Sequence, residues 1–482
     1  MPFGFERRFY PVKRCDLCLG FEERIAVMKK VIILAIAGIL LAGGQVCPAM
    51  SETDTAKENA ELKARIDRLE KELGEIKRMV EKQEEPVKAK PEPNVPSAKA
   101  AEPAKTVVEK RPVVSGLDVE LYGRLKLDAA YDSSRIETGN YAKWVQSEAS
   151  NDDDSQFNMT ANETRLGMRI YGPGGGEMKT SGRVEIDFYE GGAENKPRPM
   201  MRHAYMNLDW PAERFSILAG QTSDVISPLF PDMLNYSACW WVGNIGYRRP
   251  QLRFTKSYVM DKDVDLKFEG ALARTIGQSG SFTPGDAGED AGFPSLQARA
   301  SVTFPSWGYK PTTIGVSGHW AKEEYDTAVN GSNDKFHSWS LNLDVLQPVN
   351  KWLTLKGELF TGENLAAYLG GIGQGLRNIG TSGSPVYDKE ISSRGGWIEA
   401  SFGPWGKWSY NVGVSVDDVD DDDLGGVTDN NRECNRAVFA NVIYAIDKNA
   451  DIGFELSQWE TKYSGEDDAD SLRGQMSFIY KF

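Results

Sequence analysis

Beyond residue 116 the chain alternates between apolar and polar side chains in runs of about ten residues, the length of a tilted membrane-crossing strand. The final run, RGQMSFIYKF, shows the rule most cleanly. Met476, Phe478, Tyr480 and Phe482 share one face; Arg473, Gln475, Ser477 and Lys481 share the other, with Ile479 as the exception. Period two with one large apolar face marks a half-buried strand. Five earlier runs repeat it at 119–129, 164–171, 182–189, 264–272 and 452–461. In the first, Val119, Leu121, Leu125 and Leu127 oppose Glu120, Arg124, Lys126 and Asp128. A charged row cannot be the dry core of a soluble sheet, but it suits a wet interior.

Ten weaker runs fall at 200–209, 214–221, 246–256, 295–304, 312–320, 336–346, 352–361, 394–402, 407–416 and 436–446. The predicted total is about sixteen strands, the even number that single-chain bacterial barrels require. The connections have a period of their own. Turn-like stretches such as Gly172–Gly176, Asp209–Glu213 and Gly403–Gly406 alternate with long polar ones at 132–162, 190–199, 222–245, 274–294, 321–334, 362–393, 417–434 and 462–470. A soluble sandwich has no reason to sort loop length by end. The fold expected is an all-β transmembrane barrel of antiparallel strands, with Tyr480 and Phe482 in its interfacial aromatic girdle and the last strand closing on the first.

The N-terminal part reads differently. Residues 28–50 carry a basic start, Lys29 and Lys30, an apolar run from Val31 to Ala42 and small residues near Cys47-Pro-Ala49. This is a secretory signal peptide, short for a spanning helix. Residues 1–27 are expected to be an upstream extension, with Met28 the true start. Over 51–83, Asn59, Ile66, Leu73 and Val80 occupy a positions and Leu62, Leu69 and Ile76 occupy d positions of a heptad. Arg65 faces Glu70, and Glu72 faces Lys77, in a parallel in-register bundle. The segment Arg65–Glu70 has the RhxxhE pattern associated with three-stranded coils, so an N-terminal α-helical coiled coil is predicted. Residues 84–113 are rich in Pro, Lys, Ala and Glu and form an extended tether. The barrel is assigned to 114–482.

Composition narrows the class. The chain has 482 residues and a formal charge of −14, which argues against a nucleic-acid binder. A mean hydropathy of −0.45 is too polar for a helical membrane protein but not for a barrel, whose apolar band hides in alternation. Cys15 and Cys18 form a lone CxxC without a second pair or a nearby histidine, so no zinc or redox site is expected. Removal of the leader leaves Cys239 and Cys434. Both would lie where a disulfide can form, but the strand separation around a barrel favours two separate buried thiols. Asp417, Asp418 and Asp420–Asp423 crowd one loop without an EF-hand pattern, and a solvated acidic loop is the reading taken. His203, His319 and His337 are the only histidines, and no GxSxG, HExxH or Cys-His arrangement appears. No enzyme, cofactor or metal site is expected.

The ordered motifs LYGRLKLDAAYD (121–132), TRLGMRI (164–170), GRVEIDFYEGG (182–192), RHAYMNLDW (202–210), LAGQTSD (218–224), RRPQLRF (248–254), GELFTGENLAAYLGGIGQG (357–375) and FELSQWETKY (454–463) give the chain its likeness. It resembles the DcaP-like trimeric porins of Gram-negative bacteria. The resemblance implies a homotrimer of sixteen-stranded barrels in outer-membrane lipid and lipopolysaccharide. It also implies a periplasmic coiled coil near peptidoglycan, and passive passage of small hydrophilic anions such as dicarboxylates. The alternative from a different class is a structural anchor joining the outer membrane to the cell wall.

Trimeric porins fold a third loop into the barrel. Here that stretch, 222–245, carries Phe230, Tyr236, Trp240 and Trp241, which suits packing against an inner wall; an extracellular cap is the other option. Candidate pore-lining cations are Arg124, Lys126, Arg165, Arg169, Arg183, Arg248, Arg249, Arg253, Lys267, Arg299 and Lys356. Candidate acids are Glu120, Asp128, Glu185, Asp187, Glu269, Glu358 and Glu455. They read either as a charge ladder bracing a wet wall or as a net basic funnel that concentrates anions. Adjacent Arg248 and Arg249 cannot both face inward on a regular strand, and Pro250 is the site where a bulge would let them.

Overall fold

The chain divides into two units, and the second, Glu109–Phe482, is compact. The computed structural model describes residues 113–114, 117–151, 154–173, 176–189, 197–261, 263–277, 287–306, 309–325, 334–380, 386–425 and 431–482, all in the second unit. The leader, the coiled-coil positions Asn59, Leu62, Arg65, Ile66, Leu69, Glu70, Leu73, Ile76 and Val80, and the tether up to residue 112 lie outside the described residues.

Sixteen strands follow in chain order. They are β1 Leu117–Asp132, β2 Gln156–Thr160 continued by Arg165–Tyr171, β3 Lys179–Asp187, β4 Met200–Trp210, β5 Phe215–Ser223, β6 Arg248–Asp261, β7 Val264–Ala273 and β8 Ser295–Phe304. The second half comprises β9 Thr312–Tyr325, β10 Asp334–Asn350, β11 Leu353–Glu363, β12 Ser392–Trp405, β13 Trp408–Val419, β14 Arg432–Ala445, β15 Ala450–Tyr463 and β16 Ala469–Lys481. Each pairs antiparallel with the next. Strand β16 returns to β1, from Arg473 opposite Asp132 to Lys481 opposite Arg124, and the ring is closed. Closure leaves no sheet edge unpaired. Val113–Val114 adds a short pair to the foot of β1.

The pleat turns the two faces of the ring into opposite chemistries. Leu121, Leu125, Phe254, Val316, Leu341, Val438, Phe454 and Met476 stand exposed outside. Asp128, Glu185, Gln297, Asn342, Glu399, Asn411, Glu455 and Gln475 are buried inside. So continuous an apolar outer band is stable only against lipid. Trp210, Phe215, Trp352, Trp405, Trp408, Tyr410 and Tyr444 gather where the turns are short, and several pack on one another. Tyr480 and Phe482 stand exposed at the same end, where the amide of Lys481 donates to the carbonyl of Asn449. Gly123 makes room there: a Cβ on it would sit 2.3 Å from the Arg165 carbonyl and 2.8 Å from the Phe482 ring.

The strand expectation holds in number, order and facing. Short turns at 211–214, 262–263, 351–352 and 406–407 alternate with long connections at the far end, numbered loops 1 to 8. Loop 8, 464–468, is no longer than a turn, so length sorting fades at the closing hairpin. One departure lies in β2. The stretch read as loop up to residue 162 already pairs with β1 from Gln156 to Thr160. Residues 161–164 then oppose only residues 125–127 before pairing resumes at Arg165. The extra residue resets the alternation and turns Glu163 inward onto Arg124 and Lys126. Alternation broken by a bulge leaves no run for a periodicity argument to find.

Arg473 of β16 and Asp132 of β1 form a fully buried ion pair at 2.9 Å across the closing seam. Replacing Arg473 with Ala strands a buried carboxylate and is expected to cost about 3–5 kcal/mol. Urea unfolding of the barrel in lipid vesicles checks this. The paired change Arg473→Met with Asp132→Leu is expected to recover a large part of the loss.

Candidate channel constriction

Loop 3, residues 224–247, folds into the barrel and runs as a shelf along the far wall. Its amides are taken in turn by side chains projecting from four strands of the wall. Val225 N–H donates to Gln297 of β8 at 2.8 Å, Leu229 to Glu358 of β11 at 2.7 Å, Asp232 to Glu399 of β12 at 2.6 Å and Leu234 to Glu455 of β15 at 2.7 Å. Carbonyls on the same shelf accept from the wall. Asn441 of β14 donates to Asp232 O at 2.8 Å, Gln475 of β16 to Leu234 O at 2.9 Å and Lys126 of β1 to Leu234 O at 2.6 Å. Buried carboxylates and buried amides are each costly alone, and here each satisfies the other. The inward option for this loop is therefore the one realised.

The return of loop 3 depends on Gly243, which adopts φ +129° against β12 and β13. A Cβ there would lie 2.3 Å from the Gly396 carbonyl and 2.8 Å from that of Val416. Loop 1 joins the filling: Ile136, Ala142 and Val145 pack with Cys239 and Val242 of loop 3 and with Phe439, Trp459 and Tyr463 of the wall. Loop 6 adds Leu365 and Tyr368 beside Ile226 and Ile245. Tyr368 is stacked on His319 at 3.7 Å between ring centres. Cys239 and Cys434 are both buried and are not joined by a disulfide, so the disulfide option fails. The Cys239 thiol meets the sulfur of Met233 at 3.3 Å instead.

The near wall, β1 to β7, is lined differently. Glu185 lies at its centre with its side chain 1% exposed. Arg183 approaches it at 2.6 Å, Arg202 at 2.8 Å and Arg165 at 3.5 Å, and Tyr122 donates to it at 2.8 Å. One carboxylate thus serves three guanidiniums, of which Arg202 has a second acid in Asp187 at 2.7 Å. Arg169 reaches Glu120 at 3.3 Å and Lys267 reaches Glu269 at 3.0 Å, with side chains 41% and 44% exposed. Arg124 pairs with Glu163, and Arg253 lies 3.9 Å from Glu269 while donating to the Ser223 carbonyl. The pattern is one of cations toward water and carboxylates beneath them.

Of the remaining candidates Lys126, Arg248, Arg249 and Arg299 are buried and Lys356 is half-buried. Lys126 lies under loop 3, and Lys356 holds Asp232 of that loop at 2.8 Å and Glu399 at 3.5 Å. Arg299 is wedged between Asp344 at 2.6 Å and Glu269 at 3.3 Å. The bulge expected at Pro250 is absent: Arg248, Arg249 and Pro250 pair in register with Ser223, Thr222 and Gln221. Arg249 turns inward, fully buried, onto Asp224 at 2.8 Å with its guanidinium carbon 3.9 Å from the Tyr368 ring centre. Arg248, at the upper end of the strand, folds over Trp240 and Tyr247. Neither lines the open wall. Arg202, absent from the sequence-based candidates, enters through a bulge, the extra residue between Met201 and His203 opposite Ile186 and Glu185. Its only sequence signal is the Arg-His pair interrupting the alternation of β4.

A closed sixteen-strand barrel with a loop folded inside and a charged wall opposite defines the porin type of channel fold. The crystal structure of the outer membrane channel DcaP of Acinetobacter baumannii is similar, with TM-score 0.60 and 18% identity, covering 76% of this chain and 98% of that one. The likeness to DcaP-like porins expected from the motifs is met at the level of the fold. An anion-selective porin from Comamonas acidovorans has TM-score 0.48 and 13% identity over 76% of this chain and 100% of its own. OmpF of Salmonella typhi, in complex with daunomycin, has TM-score 0.49 and 13% identity over 76% and 98%. No protein-family model matches the chain, and no curated protein matches it in sequence.

Glu455 accepts from Leu234 N–H at 2.7 Å and from Asn441 at 3.0 Å. Glu455→Leu leaves these donors unpaired in a buried site and is expected to cost about 1–3 kcal/mol per lost partner. Faster hydrogen exchange at Leu234 and Asn235 and noisier single-channel current check it. Glu455→Gln, which keeps an acceptor oxygen, is expected to show a smaller change in both.

Proposed function

We propose that the protein is an outer-membrane porin, a passive diffusion channel for small hydrophilic solutes with a preference for organic anions. The observation that carries this reading is the cluster of Arg165, Arg183 and Arg202 around the single buried Glu185, on the wall facing the loop 3 shelf. Opposing acids at Glu358, Glu399 and Glu455 are covered by loop amides, so their charge is screened from the passage by the shelf itself. A passage with cations on its wetted side and low-dielectric walls holds anions at raised local concentration. Dicarboxylates suit it because guanidiniums spaced along one wall offer successive two-oxygen contacts.

The assembly we infer is a homotrimer set in lipid and lipopolysaccharide, with the segment 51–83 forming a parallel coiled coil on the periplasmic side near peptidoglycan. Its heptad positions and the Arg65–Glu70 and Glu72–Lys77 pairings support that arrangement. Deleting 51–83 is expected to lower trimer yield while a barrel–barrel trimer survives. Crosslinking of detergent-extracted protein checks it, and products no larger than dimers would contradict the trimer. The tether also favours a second reading, in which the barrel is an anchor to the cell wall. A planar bilayer separates the two, because an anchor would pass no current.

Reversal potentials across a KCl gradient test the ion preference. Arg165→Gln combined with Arg183→Gln is expected to lower the anion-to-cation permeability ratio by about twofold or more, as expected for removing two partly exposed charges from one wall. An unchanged ratio would remove these guanidiniums from the selecting set.

A further inference from the structure

We infer that Arg248 is one side of a resident oxyanion site at the root of loop 3, taking a small carboxylate that lodges in the wall rather than passing along the channel. Three guanidiniums meet in this region, and two are spoken for. Arg202 is held by Glu185 and Asp187, and Arg249 by Asp224. The carboxylates are also fully committed: Asp187 accepts from Arg202 and Tyr236, and Asp224 from Gln297 and the Tyr247 amide. Arg248 is 5% exposed, and its Nε and Nη2 are buried without a hydrogen-bond partner among the described residues.

The chemistry of the missing partner follows from which part of the guanidinium is covered. Its carbon lies 5.0 Å from the Tyr247 ring centre and 5.5 Å from that of Trp240. Aromatic contact of that kind satisfies a cation electrostatically and gives its N–H groups no acceptor. Nε and Nη2 are the two donors of one edge of the fork, the pair that grips two oxygens of a planar oxyanion. A second donor in the same aromatic cluster is also unpartnered and buried, the Trp240 indole Nε1. A buried cation with two parallel free donors, walled by aromatic rings, calls for a ligand that is negative, planar and small. With Arg248 so enclosed, such a ligand is held out of the passage, and it would tie the β6 end of loop 3 to Trp240 within that loop. This inference does not depend on the ion preference of the channel.

The test uses the full-length protein in detergent. Thermal unfolding is followed at fixed pH and ionic strength while sodium formate replaces sodium chloride. Wild type is expected to gain stability saturably with formate, and Arg248→Gln to lose the response. Arg253→Gln, which removes a guanidinium from the same strand, is expected to keep it. Should Arg248→Gln fail to fold, Arg248→Lys keeps the charge but not the fork, and its half-saturating formate concentration is expected to rise about tenfold, the effect of losing one bidentate contact. Crystals soaked in bromoacetate are expected to show anomalous bromine signal beside Arg248. A wild type indifferent to formate, a response that survives in Arg248→Gln, or bromine signal only elsewhere would overturn the site.

Discussion

Backbone amides in hydrocarbon have no water to bond, and the architecture follows from that constraint. A sheet surrounded by lipid must have no edge, so β16 has to find β1 across the whole length of the chain. The seam is reinforced on its wet side, where Arg473 meets Asp132 and Gln475 meets Asp128, and relieved on its lipid side by small residues such as Gly123. Once the ring is closed, the pleat assigns every alternate side chain to lipid or to the interior. The interior is then too wide for wall side chains to fill and too polar to stay dry.

Loop 3 solves the interior problem on one side. A loop inside a barrel brings in its own unpaired amides, and several strands of the far wall supply acceptors for them. Glu358, Glu399 and Glu455 act as brackets for Leu229, Asp232 and Leu234. The near wall is covered less, with loop 3 reaching it at Asp187 through Tyr236 and at Lys126. There the same residue types form cation-rich clusters whose carboxylates are buried beneath, as at Glu185. One barrel interior therefore carries acids used for architecture and bases left facing the passage. A count of charges along the chain, −14 in total, conceals this division.

Arginines beside one another in sequence reach different fates for the same geometric reason. Arg249 points inward from β6 and is consumed by Asp224 and Tyr368, bracing loops 3 and 6 together. Arg248, one residue earlier, starts from the opposite parity and escapes burial in lipid only because the strand ends there and Trp240 and Tyr247 receive it. Arg202 reaches the central cluster through a bulge that no alternation predicts.

Alternation in the sequence was sufficient for strand number, order and facing, and for sorting short turns from long loops except at the closing hairpin, because each depends on neighbours in the chain and on a period of two. The same text showed which residues could line the interior: Arg124, Arg165, Arg169, Arg183 and Lys267 are there, partly open to water. It could not tell these from Lys126, Arg249 and Arg299, which are buried, or from Lys356, which is half-buried, all of them held by partners far away in sequence. Nor could it place loop 1 and loop 6 inside with loop 3, since apolar residues in a loop do not say which wall they pack against. Facing is a local property of the strand. Exposure within the interior is decided by which loop lies over which wall, and only the closed tertiary structure brings those two together.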